Sequence, residues 1–154
     1  MKIIVLSDSH GDTQALLTAV AREQPDLIIH LGDFIQDCAV LEQMYPQIPL
    51  RKVAGNCDGY SDGILKQVFD WGGRRIFMTH GHRYHVKLGE EYLIQTAREA
   101  GANLVLYGHT HSAVYREEGR MVIINPGSIG YGAKTYGVVT LEDGKVSISA
   151  RSVK

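Results

Sequence analysis

The chain repeats one local pattern five times: a continuous apolar run breaks off abruptly into side chains that carry oxygen or nitrogen donors. The runs are KIIVLS (2–7), DLIIHLG (26–32), LRKVAG (50–55), RRIFMTH (74–80) and NLVLYG (103–108). Apolar runs of about four to eight residues, without polar alternation, read as strands covered on both faces. Asp12 or Thr13 is placed to cap a helix through ALLTAVARE to about Glu23, with Pro25 beyond it. DCAVLEQMY (37–45) reads as a short helix stopped by Pro46. GEEYLIQTAREAG (89–101) reads as a helix with an acidic first turn and glycine after its last. MVIINPG (121–127), YGVVTLED (136–143) and KVSISARS (145–152) read as strands, the last two joined by a tight Asp143-Gly144 turn. Strand–helix alternation followed by strand after strand predicts an α/β protein with parallel strands early and an antiparallel portion late. Two stacked sheets with helices outside would cover both faces of such runs.

A length of 154 residues suits one domain, 1–154, able to bury a core without staples. Apolar residues at 44% and charged residues at 21% are those of an ordinary soluble globular protein. A net charge of −1 gives no general attraction for nucleic acid. Cys38 and Cys57 form no CxxC pair, which fits a reducing compartment. The opening run IIVL is too short for a signal-peptide core, and no run reaches membrane-spanning length. The expected location is therefore cytoplasmic, with no membrane partner.

The strand ends carry the chemistry. The five runs lead into Ser7-Asp8-Ser9-His10, Gly32-Asp33, Gly55-Asn56, Thr79-His80-Gly81-His82 and Gly108-His109-Thr110-His111. Ligands of open α/β sheets gather at such C-terminal edges. Asp8, Asp33 and Asn56 offer oxygen; His10, His80, His109 and His111 offer imidazole nitrogen. The mixture suits manganese, iron, nickel, cobalt or zinc. Seven side chains exceed one tetrahedral site. With one carboxylate shared they fill two sites and leave positions open. Two ions about 3.5–4 Å apart can hold a hydroxide and clamp a phosphoryl group for in-line attack. Each piece alone has a plain explanation: D-x-H occurs by chance, Gly-Asp is a common turn, and His-Thr-His could be a surface pair. Five in order, each at a strand end, are harder to explain that way.

The ordered set D-x-H, G-D, G-N, T-H-G-H and G-H-T-H resembles the calcineurin-like metallophosphoesterase superfamily. It is most similar to the short bacterial and archaeal YfcE-type phosphodiesterases, from Asp8 to Asn125-Pro126-Gly127-Ser128. The resemblance implies a single-domain, four-layer sandwich of two mixed β-sheets flanked by α-helices. It implies one divalent ion on Asp8, His10 and His111, a second on Asn56, His80 and His109, and Asp33 bridging both. Manganese is the first expectation, with nickel, iron, zinc or cobalt behind it. A metal-bridging hydroxide would attack the phosphorus of a small phosphate ester, with diesters the first choice.

The superfamily usually has histidine after G-N, acting on the substrate or leaving group; this chain has Cys57, as the YfcE-type members do. A thiol is a poor acid at neutral pH. Substrates with good leaving groups are then favoured, or another acid is recruited, with His82, His85 and Asp58 as candidates. His82 itself would support the ligands or face the substrate. Cys57 lies near the site without being a nucleophile, since the nearby histidines are committed to metal.

Other residues have simpler expectations. His30 is a packed, hydrogen-bonded histidine; Asp37 is a helix cap or an exposed carboxylate; Trp71 packs a hairpin or the core. Arg83, Tyr84 and His85 either line a cleft or decorate a loop. Asn125–Ser128 is a structural turn, and Ser128 has no evident base. The competing function is a non-enzymatic metal-binding or interaction scaffold, because a retromer subunit resembles this fold with part of the catalytic set lost. A homo-oligomer is compatible with everything above. An amidohydrolase-like barrel is excluded by length.

Overall fold

A computed structural model describes residues 1–59 and 64–154. Its strands are β1 (Lys2–Leu6), β2 (Leu27–His30), β3 (Leu50–Lys52), β4 (Lys66–Trp71), β5 (Arg74–Thr79), β6 (Leu104–Leu106), β7 (Val114–Glu118), β8 (Met121–Asn125), β9 (Thr135–Glu142) and β10 (Lys145–Ser152). The helices are α1 (Thr13–Glu23), α2 (Cys38–Met44) and α3 (Glu91–Glu99), with 3-10 turns at Ile35–Asp37 and His82–Tyr84.

The strands form two five-stranded sheets, ordered β10-β9-β1-β2-β3 and β4-β5-β6-β8-β7. In the first, β1, β2 and β3 run parallel while β9 and β10 return antiparallel. In the second, β5, β6 and β8 are parallel and flanked by antiparallel β4 and β7. The expected α/β sandwich of two mixed sheets with helices outside is the observed one. The antiparallel portion expected late in the chain is β7 on β8 and β9 between β1 and β10, while β8 itself joins β6 in parallel.

Strand periodicity explains the layers. Alternate side chains leave opposite faces of a strand. Ile3 and Val5 of β1 therefore meet Met78, Leu104 and Leu106 between the sheets, with Leu27, Ile29 and Ile124 in the same apolar cluster. Ile4 and Leu6 point the other way, into a cluster with Leu16, Ala19 and Val20 of α1 and Leu41 of α2. On the far side, Phe77, Val105 and Ile123 meet Leu93, Ile94 and Ala97 of α3. Each fully buried branched side chain contributes about 1.5–3 kcal/mol. Strands that must feed both clusters have no polar position to spare, which is why they read as unbroken apolar runs.

Local signals hold the ends. Asp12 caps α1 by accepting the Ala15 N–H at 3.0 Å. Asp143 and Gly144, both at positive φ, turn β9 into β10 as a tight hairpin requires. Trp71 is half-buried against the core at the end of β4. Among the described residues, no helix is long and apolar enough to cross a membrane.

Candidate metal centre

The parallel strands β1, β2, β5 and β6 end side by side, and their loops are stitched together. The Asp8 N–H donates to the Gly32 carbonyl at 2.9 Å, and the Gly108 N–H to the His80 carbonyl at 2.9 Å. Close approach demands glycine at two of these loops. A Cβ on Gly108 would collide with the Ser7 hydroxyl and lie 2.9 Å from Asp8 Oδ2. One on Gly32 would lie 2.8 Å from both Gly55 N and His80 Nδ1.

Asp8 is fully buried. Its Oδ2 accepts from the Ser7 hydroxyl at 2.5 Å and the His109 N–H at 3.2 Å. Its Oδ1 is left facing His111 Nε2 at 3.2 Å, His10 Nε2 at 3.7 Å and His80 Nε2 at 3.9 Å. Asp33 stands between His80 Nε2, 3.5 Å from its Oδ1, and His10 Nε2, 3.7 Å from its Oδ2. Burial raises the Asp33 pKa, but His80, the Cys57 N–H and thiol, and His10 together outweigh it and hold the carboxyl below its ordinary value. The donor atoms of Asp8, His10 and His111 lie within 4.8 Å of one another, as do those of Asp8, Asp33 and His80.

The imidazoles are aimed. Fully buried His80 places Nδ1 2.8 Å from the Leu31 carbonyl, so that nitrogen carries the proton and Nε2 keeps its lone pair. That Nε2 faces His109 Nδ1 at 3.2 Å. Burial above all, then His80, takes the His109 pKa down to about 4. His10 Nε2 is buried and has no hydrogen-bond partner among the described residues, although it faces two carboxylates. Two buried carboxylates, an orphaned imidazole nitrogen and a pair of converging imidazoles are the donor set a divalent cation satisfies. Backbone strain accompanies it: Asp8, His10, Asp33, His109 and His111 all have φ between 45° and 70°. Left-handed conformations of non-glycine residues cost energy and cluster at functional sites.

The remaining expected residues sit at the margin. Asn56 is exposed, and its side-chain N–H donates to Cys57 Sγ at 3.7 Å. Burial first, then the Asp33 charge, raises the Cys57 thiol pKa. The His82 ring lies 5.5 Å from that of His80, its Nδ1 is buried without a partner among the described residues, and burial, then His80 and Arg83, lower its pKa. His85 stacks on Tyr92 at 6.4 Å, and Tyr84 packs on Phe77 and Tyr92, toward α3.

Several supports went unread in the sequence. Asp37 stands at the N-cap position of α2, as expected, but its carboxylate does not cap the helix: it is buried and accepts from the Ser9 hydroxyl at 2.8 Å and the Gly11 N–H at 2.7 Å. Ser9 also meets His30 Nε2 at 2.9 Å, while His30 Nδ1 accepts the Gly32 N–H at 3.1 Å. Asp58 is buried and accepts three backbone N–H groups, from Asp33, Ile35 and Gly55, at 2.7–2.8 Å. With both oxygens committed as acceptors, it is a staple between two ligand loops and a poor proton donor. Asn-Cys-Asp-Gly carried the signal for this, since aspartate in a turn commonly bonds nearby backbone N–H groups. Asn125 braces the β6 loop through Gly108 O and Thr110 Oγ1, and Ser128 donates to the Asp8 carbonyl. The Asn125–Ser128 turn is structural, as expected.

Known proteins resemble this chain in sequence and in fold. The profile of the calcineurin-like phosphoesterase superfamily domain matches residues 1–144. A probable metallophosphoesterase of Bacillus subtilis, YsnB, is 33% identical over 96% of this chain and 89% of its own. The crystal structure of a predicted phosphoesterase from Streptococcus pneumoniae superposes with a TM-score of 0.82 at 29% identity, covering 99% of this chain and 89% of that one. Zinc-complexed Vps29 from Entamoeba histolytica shares the fold, with a TM-score of 0.75 at 18% identity over 100% of both chains. On the strength of the profile and the bacterial relatives, the chain belongs to the calcineurin-like phosphoesterase superfamily.

Proposed function

We propose that this protein is a metal-dependent phosphoesterase acting on small phosphate esters, with diesters preferred. The observation that carries the reading is His10 Nε2: buried, without a hydrogen-bond partner among the described residues, and 3.7 Å from each of two buried carboxylates. Asp8, His10 and His111 would hold one divalent ion, and Asn56, His80 and His109 a second, with Asp33 common to both. Manganese is the first choice. When bound, such a pair supplies Lewis acidity to the phosphoryl oxygens and lowers the pKa of an attacking water.

The chain's own residues prepare the site. Asp8 and Asp33 bring negative charge into a buried place where only cations can balance it. The Leu31 carbonyl keeps His80 in the tautomer that presents Nε2. The low pKa of His109 keeps that imidazole unprotonated at neutral pH. Cys57, with its raised pKa, is too weak an acid to help a poor leaving group. His82, with its lowered pKa, presents a neutral imidazole at neutral pH. Esters whose leaving group departs without assistance are therefore the expected substrates. The preference for diesters rests on the resemblance to YfcE-type phosphodiesterases.

The test is hydrolysis of bis-p-nitrophenyl phosphate beside p-nitrophenyl phosphate. The protein is first stripped with a chelator and then given manganese, nickel, zinc or magnesium, with Asp33→Ala as the control. Metal-restored cleavage, favouring the diester and absent in the variant, supports the proposal. Faster monoester cleavage overturns the diester preference. Metal binding without turnover of either compound makes a scaffold the better reading.

A further inference from the structure

Beside Asp8, His10 and His111 stands an aromatic pair that neither the core nor the ligand set explains. Tyr131 is 55% exposed. Its ring lies 4.9 Å from that of His10 and 5.8 Å from that of His111. Phe34 lies against His10 at 5.1 Å, in the residue after Asp33. Neither ring belongs to any of the three apolar clusters of the core.

Tyr131 is nevertheless held in place. Its N–H donates to Ser128 Oγ at 3.1 Å, and its carbonyl accepts the Lys134 N–H at 3.0 Å. Ser128 in turn donates to the Asp8 carbonyl at 2.8 Å. The ring is thus tied, through one hydroxyl, to the loop that bears a ligand carboxylate. A tyrosine on a fixed backbone offers contact area at little entropic cost.

We infer that Tyr131, backed by Phe34, is a stacking wall that selects phosphate compounds whose organic group is a planar aromatic ring. The inference rests on the proposed phosphoryl site. A phosphoryl group at Asp8, His10 and His111 would leave its organic substituent alongside the tyrosine. An aryl group or nucleobase could stack there; an alkyl group would gain little.

The test reads binding, not turnover. Phenylphosphonate and methylphosphonate are titrated calorimetrically into manganese-loaded protein, wild type beside Tyr131→Ala and Tyr131→Phe. The expected result is phenylphosphonate bound about tenfold tighter than methylphosphonate. Tyr131→Ala should abolish that preference and Tyr131→Phe preserve it, with manganese affinity unchanged in both. Adenosine monophosphate against ribose 5-phosphate then separates the two aromatic sources. A Tyr131-dependent gain there assigns a nucleobase, and a gain for phenylphosphonate alone assigns a simple aryl group. The inference is overturned if wild type shows no aromatic preference or binds neither phosphonate. It is equally overturned if Tyr131→Ala weakens both phosphonates alike. A Tyr131-dependent preference in a protein that hydrolyses no ester would sink the hydrolase reading alone.

Discussion

Replacing Asp58 by asparagine separates a proton donor from a structural staple. Asp58 Oδ2 accepts the N–H groups of Asp33 and Gly55, and Oδ1 that of Ile35, all in a buried setting. An asparagine oxygen can keep the first two bonds. Its amide nitrogen then faces the Ile35 N–H, donor against donor. The substitution removes one charge-assisted bond, weakens two others and leaves a buried N–H unsatisfied. Hydrogen bonds to a charged group contribute about 1.5–3 kcal/mol and an orphaned donor costs about 1–3 kcal/mol, so the loss should be about 3 kcal/mol. Urea unfolding of metal-free protein would show it as a lower midpoint with an unchanged slope. Because Asp33 hangs from this staple, manganese affinity should fall by about 10–100-fold as well. A variant that unfolds within about 1 kcal/mol of wild type, binds manganese normally and yet has lost its turnover would refute the reasoning. It would return Asp58 to the list of candidate acids.

Cys57→Ser should retain much of the metal-restored phosphoesterase activity and Asn56→Ala lose most of it; near-total loss in the serine variant would contradict the assignment. Gly108→Ala should destabilise the protein by about 1–3 kcal/mol through overpacking and weaken manganese binding, because the new methyl group meets Ser7 and Asp8. His30 should stay neutral in the folded protein down to about pH 4, since burial above all depresses its pKa to about 4. The unfolded chain, with an ordinary pKa of about 6.5, binds the extra proton first. Stability from His30 is therefore present above about pH 6.5 and falls away as pH drops toward 4, by up to about 3 kcal/mol. Imidazole NMR titration checks it, and a His30 midpoint near 6.5 would be the contrary result.

Four of the five donor-bearing loops were legible in the sequence because each begins where an apolar run stops, and a strand buried on both faces tolerates no donor before its end; the Asn56 loop instead follows β3, a half-buried edge strand carrying Arg51 and Lys52. Two strands were not legible. KQVFDW of β4 alternates exposed and half-buried positions on a sheet edge, and VYREE of β7 is mostly polar. Edge strands lie open to solvent along one side and need no continuous apolar run. Nor did spacing reveal Asp37 under Ser9 or Asp58 under Asp33. Those bonds join residues more than twenty positions apart, through loops that only the packed sheets bring together. The Tyr131 ring falls in the same class: its place beside His10 depends on Ser128 reaching back to Asp8.

The left-handed backbone at Asp8, His10, Asp33, His109 and His111 has a consequence for laboratory evolution. Glycine at any of these positions would relieve about 1 kcal/mol of local strain, a gain that Asp8 and Asp33 would forfeit by orphaning the His109 and Cys57 N–H groups but that His10, whose Nε2 has no hydrogen-bond partner among the described residues, would keep. A screen that rewards heat resistance alone would therefore enrich variants in which His10 has been replaced. Its winners would be sturdier and inert, so any stabilisation campaign on this protein must hold these five positions constant or select for bound metal in the same round.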